Sequence, residues 1–405
     1  GTNLAYKVIR KEQFAATDIV VLLLNSFIFY GLGYYAFSQS TLGVKYIGLF
    51  TLLNAMIHFV VSLIIYKRKL ADKNLFYFIL ALVITFITMA IPVQLSGNWV
   101  TIFWVAEAAI LHYFGRMKGI QIYEKLCFPL IFLAFGSLLQ DWAVHTSYFN
   151  YGTEDAPINP FFNVGFLSAC IFIACFASMT WVNNKEKNNA ETIKLATITQ
   201  IINFAVPSIL IFVSYYTFRL QIGLIFEQLY QNTKINTSPT GKIQNYVYNY
   251  NIITLKTATV YIYSLFFVAG LNFVNLKKIK NAVLAKANVV LSGLVIISFL
   301  THGLFVLSEL RSAYINQNDQ YFTSGPINIA IRYISLSFFA LLLFTVYQLS
   351  RADLFKKKLA IAFDYLLSIT TIWVLSSELL HLLELNGLKT GYKLGLSILW
   401  GAYAL

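Results

Sequence analysis

The sequence predicts an all-α, polytopic transmembrane helix bundle of about twelve spans, the last one truncated, with residue 1 on the cytoplasmic side. Three observations carry this prediction. Of the 405 residues, 58% are hydrophobic and only 12% charged, and the mean hydropathy is +0.67, far from the mix of a soluble domain. Apolar stretches of about 20 residues, enough to cross hydrocarbon, recur from one end of the chain to the other. The connections between them alternate between basic and nearly uncharged, the pattern that orients a membrane protein.

The first apolar stretch, 16–37, lacks a small-residue cleavage site and is followed by further spans, so it reads as a transmembrane helix and not as a removed leader. Spans follow at 43–66, 75–95, 99–115, 126–143, 161–182, 195–217, 252–275, 285–308, 326–348 and 359–383. A twelfth begins at Leu394 and is cut at Leu405; LGLSILWGAYAL is too short to cross and has no closing charge. The chain also starts at Gly1 without Met, so a fragment of a longer membrane protein is expected, with residues 1–405 forming a single transmembrane domain.

Basic residues gather in every second connection: Lys7, Arg10 and Lys11; Lys67, Arg68, Lys69 and Lys73; Arg116, Lys118 and Lys125; Lys185, Lys187 and Lys194; Lys277, Lys278, Lys280 and Lys286; Arg351, Lys356, Lys357 and Lys358. That alternation places these connections in the cytoplasm and the N-terminus with them. It also removes the net charge of +13 as a nucleic-acid signal, because a nucleic-acid footprint is one basic face whereas these are clusters at span ends. Anionic lipid headgroups are the partners they fit.

The long connections, 144–160, 218–251 and 309–325, all fall on the outside. In the second of these, LQIGLIFEQLY either continues the preceding helix or lies in the interface, since Leu220, Leu224, Ile225 and Leu229 recur at near-helical spacing. The Tyr/Asn-rich stretch after it is either a solvated loop with interfacial tyrosines or a loop that stacks aromatics on a ligand. The ninth span closes with LFVLSELRSAY and the eleventh with WVLSSELLHLL, a faint duplication of units at 285–310 and 359–384 of the kind transporters use.

Charge inside the membrane is costly, so each intramembrane ionisable residue is a candidate site. Glu107 lies eight residues from Trp99 and eight from Gly115, about 12 Å from either end of its span. Phe103, Trp104, Leu111 and Phe114 share its helical face. The other candidates gather near the outer ends of their spans: Asp141 and His145; Lys256; Glu309 and Arg311; Arg332; and Glu378, His381 and Glu384. Taken one by one, most of these fit snorkelling to the interface. Lys256 and Arg332 lie too deep for simple topology markers and are placed to pair with Glu309 or Glu378. The expectation is a polar cavity in the outer half of the bundle, with Glu107 and Trp104 at its floor, Lys256 and Arg332 as charge-balancing groups, and Glu309, Glu378 and His381 at the rim.

Metal and cofactor chemistry is not expected. Glu378 and His381 form one ExxH spacing, where a di-iron bundle needs two such motifs and two further glutamates. Cys127, Cys170 and Cys175 all fall inside apolar spans, without disulfide or metal spacing. The chain has no GxSxG, P-loop, HExxH or dinucleotide fingerprint. Its first outer connection, SQSTLGVK, lacks the acidic residues common in polyprenyl-dependent glycosyltransferases.

Residues 88–117, TMAIPVQLSGNWVTIFWVAEAAILHYFGRM, resemble a family of polytopic bacterial membrane proteins catalogued as domain of unknown function 2339. The matching positions are Ala90, Ile91, Pro92, Gln94, Leu95, Gly97, Trp99, Trp104, Glu107, Gly115 and Arg116. Near the end, Ser397, Trp400, Tyr403, Ala404 and Leu405 are also similar to that family. The resemblance is specific at these two places and diffuse between them. It implies further spans before and after this region and puts Glu107 in the most distinctive motif, but it assigns no activity and no catalytic residue. The expected function is transport or flipping of an envelope-related lipid, glycan or small solute. The alternatives are an outer-face enzyme transferring a lipid-linked group, with Glu107 or Glu378 as general base, or a structural subunit of an envelope complex.

Overall fold

A computed structural model of the chain describes residues 16–68, 73–150, 159–187, 197–237, 245–317, 319–352, 357–388 and 391–405. They are almost entirely helical: α1 (Ala16–Ser38), α2 (Thr41–Arg68), α3 (Lys73–Gln94), α4 (Asn98–Lys118), α5 (Gln121–Asn150), α6 (Val164–Lys187), α7 (Thr197–Gln231), α8 (Asn251–Val274), α9 (Ala282–Ser298), α10 (Leu304–Asn316), α11 (Ile327–Ser350), α12 (Lys357–Leu385) and α13 (Tyr392–Ala404). Two π-helical segments interrupt the series, Asn275–Ile279 after α8 and Phe299–Gly303 between α9 and α10. The only sheet among the described residues is a short antiparallel pair, β1 (Ile235–Asn236) with β2 (Tyr246–Val247), in the register Ile235↔Val247.

Ten helices among the described residues are long and apolar enough to cross a membrane, α9, the π segment and α10 counting as one. The chain is an all-α, polytopic membrane protein. Helix α4, at the position of the expected fourth span, falls outside these ten, since it carries Glu107, His112, Arg116 and Lys118 within 21 residues. Helix α13, the expected truncated span, has only 13 residues. Several helices run past the end of their apolar stretch: α7 continues to Gln231, so LQIGLIFEQLY extends a helix, with Gln221 buried on it.

The chain divides into two compact units, residues 1–214 and 215–405, with the boundary inside α7. In the first, α1, α2 and α3 pack around Tyr30, Ala55, Leu82 and Phe86. Tyr30 stacks on Phe50, with centroids 5.9 Å apart, and meets the Thr51 hydroxyl at 3.2 Å. Gly48 lets α2 approach the end of α3: its N–H donates to Gln94 Oε1 at 3.1 Å, and a Cβ there would lie 2.4 Å from the Gln94 Cβ. The second unit is built on Leu265, Phe299, Leu307, Leu310 and Leu342, with Phe299 stacked on Phe339 at 4.7 Å.

Candidate functional site

In the first unit, Pro92 shapes the surroundings of Glu107. A proline has no N–H, so inside α3 it leaves the carbonyl of Thr88, four residues earlier, without its helical donor. The Trp104 indole of α4 fills that place, its Nε1 donating to the Thr88 oxygen at 3.1 Å. One turn along α4, Glu107 Oε1 accepts from the Thr88 hydroxyl at 2.8 Å. Thr88 thus receives both conspicuous residues of the α4 face. The other carboxylate oxygen, Glu107 Oε2, is buried without a hydrogen-bond partner.

Two further polar groups belong to this unit. The Thr101 hydroxyl donates to Asp141 Oδ2 at 2.6 Å and is itself 2.6 Å from Ser137 Oγ; the His145 side chain lies outside the described residues. Toward the basic end of α4, Arg116 meets Glu124 at 3.0 Å and Asn203 Oδ1 at 2.8 Å, and Glu124 also accepts from Thr199 at 2.6 Å. Cys127 is buried, its thiol against the Ala108 carbonyl at 3.3 Å.

In the second unit, α10, α11 and α12 bring a denser set together. Arg332 is fully buried on α11, five residues and about 8 Å inside the helix start. Its Nε donates to Glu378 Oε1 at 2.6 Å and its Nη2 to Ser377 Oγ at 2.7 Å. Arg311 of α10, 5% exposed, donates through Nη2 to Glu384 Oε2 at 2.5 Å. The helical spacing of Ser377, Glu378, His381 and Glu384 puts all four on one face of α12. His381 is fully buried, with Tyr333 edge-on to its ring at 6.0 Å. Its imidazole is in electrostatic range of both guanidiniums, and these are in range of each other.

Hydrogen-bond capacity is left over in this cluster. Arg332 Nη1, Arg311 Nε and both ring nitrogens of His381 are buried and have no hydrogen-bond partner. Glu378 and Glu384 are 22% and 23% exposed, so the carboxylates lie on the accessible side and Arg332 behind them. Just beyond, Asn328 and Asn251 exchange amide hydrogen bonds at 2.8 and 3.0 Å, and Asn328 also donates to the Leu310 carbonyl, tying α10 to α11 beside Arg311.

The sequence-predicted residues are divided between the two units. Glu107 and Trp104 are in the first unit; Lys256, Glu309, Arg332, Glu378 and His381 are in the second. Arg332 and Glu378 do pair. Lys256 meets neither Glu309 nor Glu378 but Glu227 at 3.4 Å, on the extension of α7 past its apolar run. Glu309 is exposed on α10, although Glu378, in the similar Ser-Glu stretch of α12, pairs with Arg332. Gly270 and Gly293 lie inside continuous helix, and the interruption near this cluster is the π segment Phe299–Gly303. Sequence reasoning missed Asn251 and Asn328. The signal was the spacing of Asn328, Arg332 and Ser335, a polar stripe on an otherwise apolar span.

Among the described residues, no group of three or more His, Cys, Asp or Glu is placed to hold a metal ion. No protein-family model, no curated protein and no solved structure matches the chain.

Proposed function

We propose that this protein is a transporter or flippase of the bacterial inner membrane, with its N-terminus cytoplasmic, that handles an envelope-related lipid, glycan or small solute of anionic character. One observation carries the reading: a fully buried guanidinium, Arg332, keeps a nitrogen with no protein partner beside an equally unpartnered imidazole. Arginine used only as glue between helices is expected to spend all of its N–H groups on the protein. The basic clusters in alternate connections support the orientation, which puts the Arg332 cluster toward the outer face. Glu107, with one unpartnered oxygen, is the protonatable group of the first unit in this reading. The likeness of residues 88–117 to the domain of unknown function 2339 family belongs to the same proposal. The Pro92, Thr88 and Trp104 arrangement supports it, by giving three residues of that stretch one joint task.

The test is transport by the full chain reconstituted in liposomes. Transient currents on a solid-supported membrane report charged solutes, and quenching of headgroup-labelled lipids reports flipping. The wild-type chain is expected to give one of the two signals, and Arg332→Ala, checked for intact folding, to reduce it at least about tenfold. Absence of both signals, or a signal unchanged in the variant, overturns the proposal.

A further inference from the structure

We infer that Arg311, Arg332 and His381 form a binding site for one phosphate-type oxyanion, either free phosphate or a lipid headgroup phosphate. The inference rests on the proposed transport site and names what that site takes.

Hydrogen-bond bookkeeping points to the ligand class. The unspent donors are the two N–H of Arg332 Nη1, the N–H of Arg311 Nε and at least one N–H of His381, all buried. Among the buried atoms at most one unspent acceptor stands against them, the second ring nitrogen of a neutral His381; the second oxygens of Glu378 and Glu384 belong to partly exposed side chains. Water settles this imbalance only by passing its own two donors on to those exposed carboxylate oxygens. A ligand that only accepts settles it directly. Guanidinium groups are the protein's usual phosphate ligands, and two of them lie here on different helices, α10 and α11, with the imidazole on α12. Their mutual repulsion, already offset by Glu384 and Glu378, is relieved further by an anion in their midst.

Glu378 and Glu384 compete for the same guanidiniums. Each is partly exposed, and each uses a single oxygen on its arginine in the ion pairs described. Glu378 is therefore able to swing toward the accessible side when phosphate takes its place on Arg332. The consequence is specific: removing the Glu378 charge strengthens phosphate binding, whereas removing donors weakens it.

The experiment measures binding of inorganic phosphate to the full chain in phosphatidylcholine nanodiscs, by calorimetry and by thermal unfolding, with chloride and acetate at matched ionic strength. Saturable phosphate binding is expected. His381→Gln and Arg332→Lys are each expected to weaken it about tenfold or more, and Glu378→Gln to tighten it. Glu378→Gln guards against loss of folding as an explanation, since it must bind better. Nanodiscs containing phosphatidic acid separate the sources: a weakened phosphate response there assigns the site to lipid headgroups, and an unchanged one to free phosphate. No saturable binding, equal binding of acetate, or indifference to all three substitutions overturns the inference. The measurement needs no gradient, so phosphate that binds without being moved contradicts transport alone, and transport without phosphate binding contradicts this inference alone.

Discussion

At Arg332, two costs oppose each other: desolvating a guanidinium, and leaving Glu378 without its partner. Breaking a buried pair from one side costs about 3–5 kcal/mol, because the surviving charge stays uncompensated. Arg332→Met alone is therefore expected to destabilise the protein strongly, and Arg332→Met with Glu378→Met clearly less than the two single changes added together. Denaturant or thermal unfolding of the four proteins measures that coupling. In the first unit, Trp104→Phe removes the donor that the Thr88 carbonyl receives in place of the residue-92 amide. The expected cost is about 1–3 kcal/mol. Adding Pro92→Ala restores a backbone N–H to that carbonyl and is expected to recover most of the loss; a Trp104→Phe effect that Pro92→Ala leaves untouched contradicts this account.

Between neighbouring helices, close approach and helix continuity decide which glycines matter. A Cβ on Gly48 meets Gln94 at 2.4 Å, whereas around Gly270 nothing lies within 4 Å. Gly48→Ala is thus expected to destabilise by about 1–3 kcal/mol through forced separation of α2 and α3. Gly270→Ala, in the last turns of α8 where the helix continues into the π segment, is expected to be neutral or to stabilise by up to about 1 kcal/mol through helix propensity. Parallel unfolding measurements check both. The elements themselves were legible where hydropathy is decisive, since among the described residues most of each apolar run is helical from α1 to α12. Legibility was partial where helix continues through polar residues: near-helical spacing allowed α7 to run on through Gln221 and Glu227, but nothing in it marked Glu227 as the partner of Lys256. The π segment at Phe299–Gly303 was also hidden, because its one-residue surplus depends on hydrogen-bond register and leaves the apolar pattern unbroken. At the candidate site, depth within the span singled out Arg332 and Glu378. It did not reveal that Arg311, near a helix end, turns inward to Glu384 and away from the interface.

For the whole molecule, ten helices among the described residues are long and apolar enough to cross a membrane, which makes the protein polytopic, and the alternation of basic connections predicts a direction for it. Single cysteines in a variant with Cys127, Cys170 and Cys175 replaced test that direction. Lys278→Cys is expected to be shielded from a membrane-impermeant thiol reagent applied outside cells, and Tyr321→Cys to be labelled; the reverse pattern inverts the topology. The proposed function depends on the same direction, which is expected to make the Arg332 cluster open outward.

The central claim is that the space among Arg332, Arg311 and His381 holds something other than protein. The most direct measurement is an experimental density map of the full chain in lipid nanodiscs, resolved well enough to place single phosphate groups. Non-protein density is expected within hydrogen-bond distance of Arg332 Nη1, Arg311 Nε and one His381 nitrogen. Contradiction takes an equally definite form: those nitrogens bonded to backbone carbonyls or to Glu378 and Glu384, with no space left between the three helices.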